Sequence, residues 1–187
     1  MNLRAIIVDN NRDRAAMIEA GMASTYIVVA RLNSVDALSL ENEEIMPNIV
    51  IIGVDATDES MLVKVQYASA KFVCPVVMFV ESSNARITRA AVQAGVTAYI
   101  VGGLTKHRVN DVLDVALERF REYRAVFEEL KSTKNQLVDR KKIERAKGLL
   151  MSRDNLSEEN AYHALRHLAM ERNQRIVDIA NKILENL

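Results

Sequence analysis

Residues 47–55 read Pro-Asn-Ile-Val-Ile-Ile-Gly-Val-Asp, and the unbroken β-branched run from Ile49 to Ile52 decides the fold. A strand with one wet face alternates apolar and polar residues, whereas a run apolar on both faces belongs to a parallel sheet covered by helices on both sides. Four more runs of this kind occur: Ala5-Ile6-Ile7-Val8, Tyr26-Ile27-Val28-Val29, Val76-Val77-Met78-Phe79 and Ala98-Tyr99-Ile100-Val101. The stretches between them, such as Asp13 to Gly21 and Asn84 to Gly95, have helical spacing and end in glycine, the residue favoured just past a helix C-terminus. This succession predicts a doubly wound α/β domain over residues 1–105, with a five-stranded parallel sheet of flavodoxin-like type. In such sheets the binding or reacting groups follow the carboxyl ends of the strands.

The composition sets the outer limits. A chain of 187 residues, 49% hydrophobic and 27% charged, can bury one full core and carry a second small module. The single cysteine, Cys74, excludes a disulfide framework and a cysteine-based zinc site. No apolar stretch approaches the roughly 20 residues needed to cross a bilayer, and Met1 to Arg14 lack the layout of a signal peptide. A cytoplasmic protein is expected. Net charge is zero, yet residues 1–104 hold 8 Lys/Arg against 11 Asp/Glu while residues 131–187 hold 12 against 8. Within the basic tail, Arg140, Lys141, Lys142, Arg145, Lys147 and Arg153 face only Asp139 and Glu144, a modest polyanion footprint that a solvated helix face would also produce.

Gly102 and Gly103 close the α/β segment. From Thr105 to Lys147 neither glycine nor proline occurs, which predicts one long helix. Val109, Leu113, Ala116, Phe120, Tyr123, Phe127, Leu130 and Leu137 follow each other at alternating steps of four and three, a heptad seam whose one polar position is Lys134. The first two turns are expected to lie on the α/β domain. Beyond Phe120 the seam outruns a domain of that size, so residues 106–141 are expected to form a parallel coiled-coil homodimer through Phe120, Tyr123, Phe127, Leu130, Lys134 and Leu137.

After Gly148 the pattern shortens into an all-α module, residues 142–187. Ser157 ahead of Glu158-Glu159 reads as a helix N-cap with acids in the first turn, opening a helix from about Glu158 to Arg172 with Ala161, Leu165, Leu168 and Ala169 inward. A last helix from about Arg175 to Leu184 carries Ile176, Ile179, Ala180, Ile183 and Leu184. With Ile143, Ala146, Leu149 and Leu150 these make a three-helix core.

The run Ile143-Glu144-Arg145-Ala146-Lys147-Gly148-Leu149-Leu150-Met151, then Leu156 to Tyr162, Leu165-Arg166 and Asp178-Ile179-Ala180, resembles the ANTAR domain signature in order and without gaps. The whole layout is similar to ANTAR transcription antiterminators of the amidase (AmiR) type and, more closely, the nitrate-assimilation (NasT) type. Tyr99-Ile100-Val101-Gly102-Gly103-Leu104 adds a short likeness to the latter. The resemblance implies binding to paired stem-loops of leader mRNA, preventing terminator formation, and control by a sensor partner resembling periplasmic binding proteins. RNA loops offer splayed bases for stacking and phosphates for basic side chains. On that footing Lys142, Arg145, Lys147 and Arg166 are candidate RNA contacts and Tyr162 a candidate stacking platform, although Tyr162 also suits a helix–helix contact and Arg153 or Arg172 plain surface charge.

The α/β part resembles a two-component receiver without its chemistry. Such receivers need two acids after strand one, an acceptor Asp ending strand three, Thr or Ser ending strand four and Lys ending strand five, with Mg²⁺ held by the acids. Here those positions hold Asp9 and Asn10, Gly53, Val80 and Gly102. Asp55, on the face of Gly53 but 6–7 Å further out by the roughly 3.3 Å rise of a strand, is the one substitute acceptor and reads more simply as a loop acid. Asp9 reads as a surviving cap or structural acceptor. Phosphorylation is therefore not expected to switch the protein, and no metal or cofactor is expected. His107, His163 and His167 lie on helices without a nucleophile or an H-E-x-x-H pattern, so an enzyme is not expected. The alternatives are a non-catalytic coiled-coil adaptor, a phosphorylation-dependent response regulator using Asp55, and a DNA-binding regulator, against which the acids opening the Glu158 helix argue.

Overall fold

In the computed structural model, which describes residues 2–39 and 45–185, the first 124 residues and residues 125–187 form two compact units. The first holds β1 (Leu3–Asp9), α1 (Arg12–Gly21), β2 (Tyr26–Leu32), a 3₁₀ turn (Val35–Ser39), β3 (Ile49–Ala56), α2 (Glu59–Phe72), β4 (Val76–Ser82), α3 (Ala85–Gln93) and β5 (Ala98–Val101). All strand pairs are parallel, in the order β2-β1-β3-β4-β5. The doubly wound sheet expected from the apolar runs is present, with most strands extending a few residues past them.

Alternation along the strands sorts the core into two layers. Ile6, Val8, Val50, Ile52, Met78 and Val80 pack with Leu62 and Val65 of α2 and Ile87 and Ala91 of α3. Ala5, Ile7, Ile49, Ile51, Val77 and Phe79 pack on the other side with Ile18 of α1 and with Val109, Leu113, Ala116 and Leu117 of α4 (Lys106–Asp154). The opening turns of α4 thus belong to the α/β core, as the sequence predicts. Gly21 serves a purpose other than the one read from sequence. It ends α1 without a positive φ, and a Cβ there would sit 2.4 Å from the Lys106 carbonyl oxygen and 2.8 Å from Val109 Cβ, so it permits close approach of α1 to α4. Gly95, at φ +86, does fill the turn after α3.

In the second unit, α4 runs on to Asp154, followed by α5 (Glu158–Glu171) and α6 (Ile176–Glu185). The expected break at Gly148 does not occur. A single glycine costs a helix only about 1 kcal/mol, and here Ala146 and Leu150 on either side of it are buried and hold the helix in place. The chain turns instead at Asn155, whose φ of +52 is a left-handed conformation that asparagine tolerates, and again at Asn173, at +50. Ser157 caps α5, its hydroxyl accepting from the Asn160 N–H at 3.2 Å. Ala146, Leu150, Ala161, Leu165, Ala169, Ile179 and Ala180 form the core; its four alanines let the helices approach closely.

Candidate nucleic-acid interface

At the carboxyl ends of β1 and β3, the place where a receiver gathers its acids, the structure holds an internal cation. Arg14, in the first turn of α1, donates from Nε to Asp9 Oδ2 (2.8 Å), from a terminal nitrogen to Asp9 Oδ1 (2.9 Å), and from the other to Asp55 Oδ1 (2.5 Å). The Asp9 side chain is wholly buried, the Arg14 side chain 7% exposed and the Asp55 side chain 79% exposed. Asp9 Oδ1 also accepts the Asn11 N–H at 2.8 Å, and Asn11 caps α1 through the N–H groups of Asp13 and Arg14. The Asp9 hydrogen bond, outweighing desolvation, raises the Arg14 pKa further above its ordinary value, and Asp55 adds to this.

Gly53 makes this arrangement possible. It pairs with Asp9 across β1 and β3. A Cβ built on it would fall 1.9 Å from Asp9 Oδ2, 2.8 Å from Asp9 Cγ and 3.0 Å from Arg14 Nε. A side chain at this position would force the Asp9 carboxylate to shift from its present place in the Asp9–Arg14 pair. Asp55 is a residue of β3 rather than a loop acid, and its carboxylate holds the guanidinium. Asn10 is exposed at the pocket edge. Val80 is buried, its carbonyl oxygen accepting the Gly102 N–H at 2.7 Å, and Gly102 turns at φ +62. Neither supplies a hydroxyl or an ammonium. Sequence reading missed Arg14, because no spacing rule signals that a side chain five residues past Asp9 will fold back over it.

In the second unit the candidate RNA contacts divide. Arg145 is exposed and Lys142 half-buried on α4; Tyr162, 42% exposed, and Arg166 lie one turn apart on the outer side of α5. Lys147 differs from expectation. It is buried, and its Nζ lies 2.9 Å from Glu144 Oε2 and 2.8 Å from Glu158 Oε1, so it ties α4 to the start of α5. The hydrogen bonds to Glu144 and then Glu158 raise its pKa, and Lys147 in turn holds Glu158 below the usual carboxylate range. An ammonium flanked by two carboxylates is a clasp, not a phosphate contact. Along α4, Phe120 is half-buried and Tyr123, Phe127, Leu130, Lys134 and Leu137 are exposed, the apolar ones by 48–66%. Among the described residues no group of three or more His, Cys, Asp or Glu is placed to hold a metal, and no helix is long and apolar enough to cross a membrane.

The parallel sheet in the order β2-β1-β3-β4-β5 is the fold of solved receiver domains. A solved receiver from Methanospirillum hungatei has the same fold at a TM-score of 0.56 and 14% identity, covering 66% of this chain and 99% of that one. The C-terminal helices carry a second likeness: the ANTAR domain model matches residues 131–184. The chain is similar to the transcriptional regulatory protein PdtaR of Mycobacterium tuberculosis, 28% identical over 169 residues that cover 90% of this chain and 77% of that protein. It is also similar to a nitrate regulatory protein of Klebsiella oxytoca, 40% identical over 73 residues, 39% of this chain and 18% of that protein.

Proposed function

We propose that this regulator acts in the cytoplasm as a transcription antiterminator, binding paired stem-loops of leader mRNA through residues 142–187. Lys142, Arg145 and Arg166 contact phosphates or base edges and Tyr162 stacks on an unpaired base. Lys147 holds α4 and α5 in the geometry this requires. The observation that carries the reading is the ANTAR match over a module whose outward cations, Arg145 and Arg166, are exposed. Residues 106–141 join two copies through the α4 seam, which suits a two-hairpin target. The test is titration of the chain with a tandem stem-loop transcript across a range of salt. Hairpin-specific binding that weakens with salt and with alanine at Lys142, Arg145 or Arg166 supports the reading. Equal binding to unrelated RNA, or none, refutes it in favour of a coiled-coil adaptor.

Control comes from a ligand-sensing partner resembling periplasmic binding proteins, not from phosphorylation, and the similarity to a nitrate regulatory protein favours nitrate or nitrite assimilation as the setting. The Arg14 pair supports this. A guanidinium occupies the acidic cluster, and Asp55, the alternative acceptor, has its carboxylate bonded to that same group while its backbone carbonyl accepts the Ser82 hydroxyl at 3.4 Å. Stoichiometric phosphoryl uptake from acetyl phosphate, abolished by Asp55→Asn, would overturn the claim. So would failure of any sensor protein to co-purify from cells lacking inducer.

A further inference from the structure

Gly148 is a glycine that nothing inside the chain requires. It lies within α4 without a positive φ, it is exposed, and a Cβ built on it would meet no described atom within 4 Å beyond its own stretch of helix. Gly21 and Gly53 differ, since each keeps a close internal approach open. An exposed glycine inside a helix costs stability that alanine would restore. Where neither conformation nor internal packing asks for it, the remaining use of a missing side chain is to let a ligand come close to the backbone.

The surroundings of Gly148 indicate which ligand. At about 100° per residue, Lys141, Glu144, Arg145, Met151 and Ser152 lie within about 60° of it around the helix, and the buried Ala146 and Leu150 about 160° away. Side chains on a helix lean toward its N-terminus, so the patch left bare lies over the preceding turn, the turn of Arg145. Ser152, one turn further on, is short and folded back, its hydroxyl donating to the Leu149 carbonyl oxygen at 3.0 Å. Charge on this face is positive. Lys141 and Arg145 are exposed and enter no ion pair among the described residues, while Glu144 shares Lys147 with Glu158.

We infer that Gly148 is where an RNA backbone passes closest to α4: the absent side chain lets a ribose-phosphate strand lie against the helix while Arg145, and Lys141 one turn before it, bond its phosphates. This rests on the RNA-binding reading. The rival occupant is α4 of a second copy, because the alternating steps of the seam, continued past Leu137, reach Lys141, Glu144, Gly148 and Met151. In a parallel pair each position meets its own copy, so lysine would face lysine and glutamate would face glutamate. Like charges set opposite one another hold two helices apart, which removes the need for a glycine between them. Exposed cations without partners suit a polyanion instead.

The test is titration of the full chain with a synthetic RNA of two tandem stem-loops across a range of salt. The native chain is compared with Gly148→Ala, Gly148→Gln and Arg145→Ala, and each is also melted and sedimented without RNA. Gly148→Ala is expected to raise the melting temperature of the second unit by about 4–8 °C and yet to weaken hairpin binding about tenfold. Gly148→Gln weakens it further. Neither changes the salt slope, since no cation is lost, whereas Arg145→Ala lowers that slope by about 1. A purely structural role for Gly148 cannot give opposite signs for stability and affinity. Unchanged affinity in both glycine variants, affinity lost together with melting temperature, or weaker self-association at unchanged affinity overturns the proposal, the last in favour of the second copy. Absence of hairpin-specific binding by the native chain overturns the RNA reading and this proposal with it.

Discussion

Removing Arg14 tests the reading of the pocket most directly. In Arg14→Met the stem of the side chain survives, but Asp9 loses both guanidinium bonds and keeps only the Asn11 N–H. Its carboxylate is wholly buried, so it is left in the interior without a counter-ion. Breaking one side of a buried pair costs on the order of 3–5 kcal/mol. The surviving hydrogen bond and the exposed Asp55 end of the network place this case near the lower limit, about 3 kcal/mol. For a unit of this size that is a fall in melting temperature of roughly 10 °C. Removing both partners should be far milder, because no buried charge remains: Asp9→Asn with Arg14→Met is expected to recover about 2 kcal/mol relative to the sum of the single changes. The assay is a double-mutant cycle by urea unfolding of the full chain, followed by far-UV circular dichroism. If Arg14→Met costs less than about 1 kcal/mol, or the two changes simply add, the guanidinium is not the internal cation described here.

Other consequences can be measured in the same way. Gly53→Asp, which recreates an acceptor, is expected to destabilise the first unit by an amount comparable with Arg14→Met, since its Cβ would displace the Asp9 carboxylate, and to confer no phosphoryl uptake from acetyl phosphate. Leu165→Ala, at a wholly buried position, is expected to cost about 2–5 kcal/mol in the second unit and to abolish RNA binding through unfolding, which circular dichroism distinguishes from loss of a contact. Burial pushes the Cys74 thiol up to about 12, so at pH 8 it is neutral and should react with a thiol reagent only as fast as the first unit opens; rapid labelling of the native chain would contradict its burial. Glu158 is held below the usual carboxylate range by Lys147, so its contribution to stability is present at neutral pH and is lost only as pH falls through that lowered value; Lys147→Met should remove this acid-side loss.

The strands were legible because a parallel sheet buries both of its faces: Ile49 to Ile52 are each 0% exposed, and that leaves an unambiguous apolar run. Helix ends were less legible, since termination is a local balance that packing overrides. Gly148 looked like a stop and is carried through by its buried neighbours, whereas Asn155 and Asn173, ordinary polar residues in the sequence, are where the backbone turns left-handed. In the candidate site, what the receiver positions had lost could be read residue by residue, but what replaced it could not. The Arg14–Asp9–Asp55 network joins residues 5 and 41 positions apart, and only the β1–β3 register brings them together. Lys147 illustrates the same limit: within a basic cluster it is one cation among six, and only the fold sets it between two carboxylates.

These features bear on how a signal reaches the output helices. In a receiver that responds to phosphate, the acceptor, hydroxyl and lysine form a chain of contacts that the phosphoryl group rearranges. Here a side chain at the acceptor position would have to displace the Asp9 carboxylate, and the Val80 carbonyl is tied to the Gly102 N–H. The first turns of α4 are fixed by Val109, Leu113 and Ala116, all 0% exposed in the α/β core. A partner that inhibits such a regulator therefore has no phosphate-driven movement of the sheet to exploit. The groups open to it are on the surface: the apolar stripe of α4 and the outer face of α5. If the proposed sensor covers either, it would block the proposed dimer or RNA contact directly, with no conformational change required in the first unit.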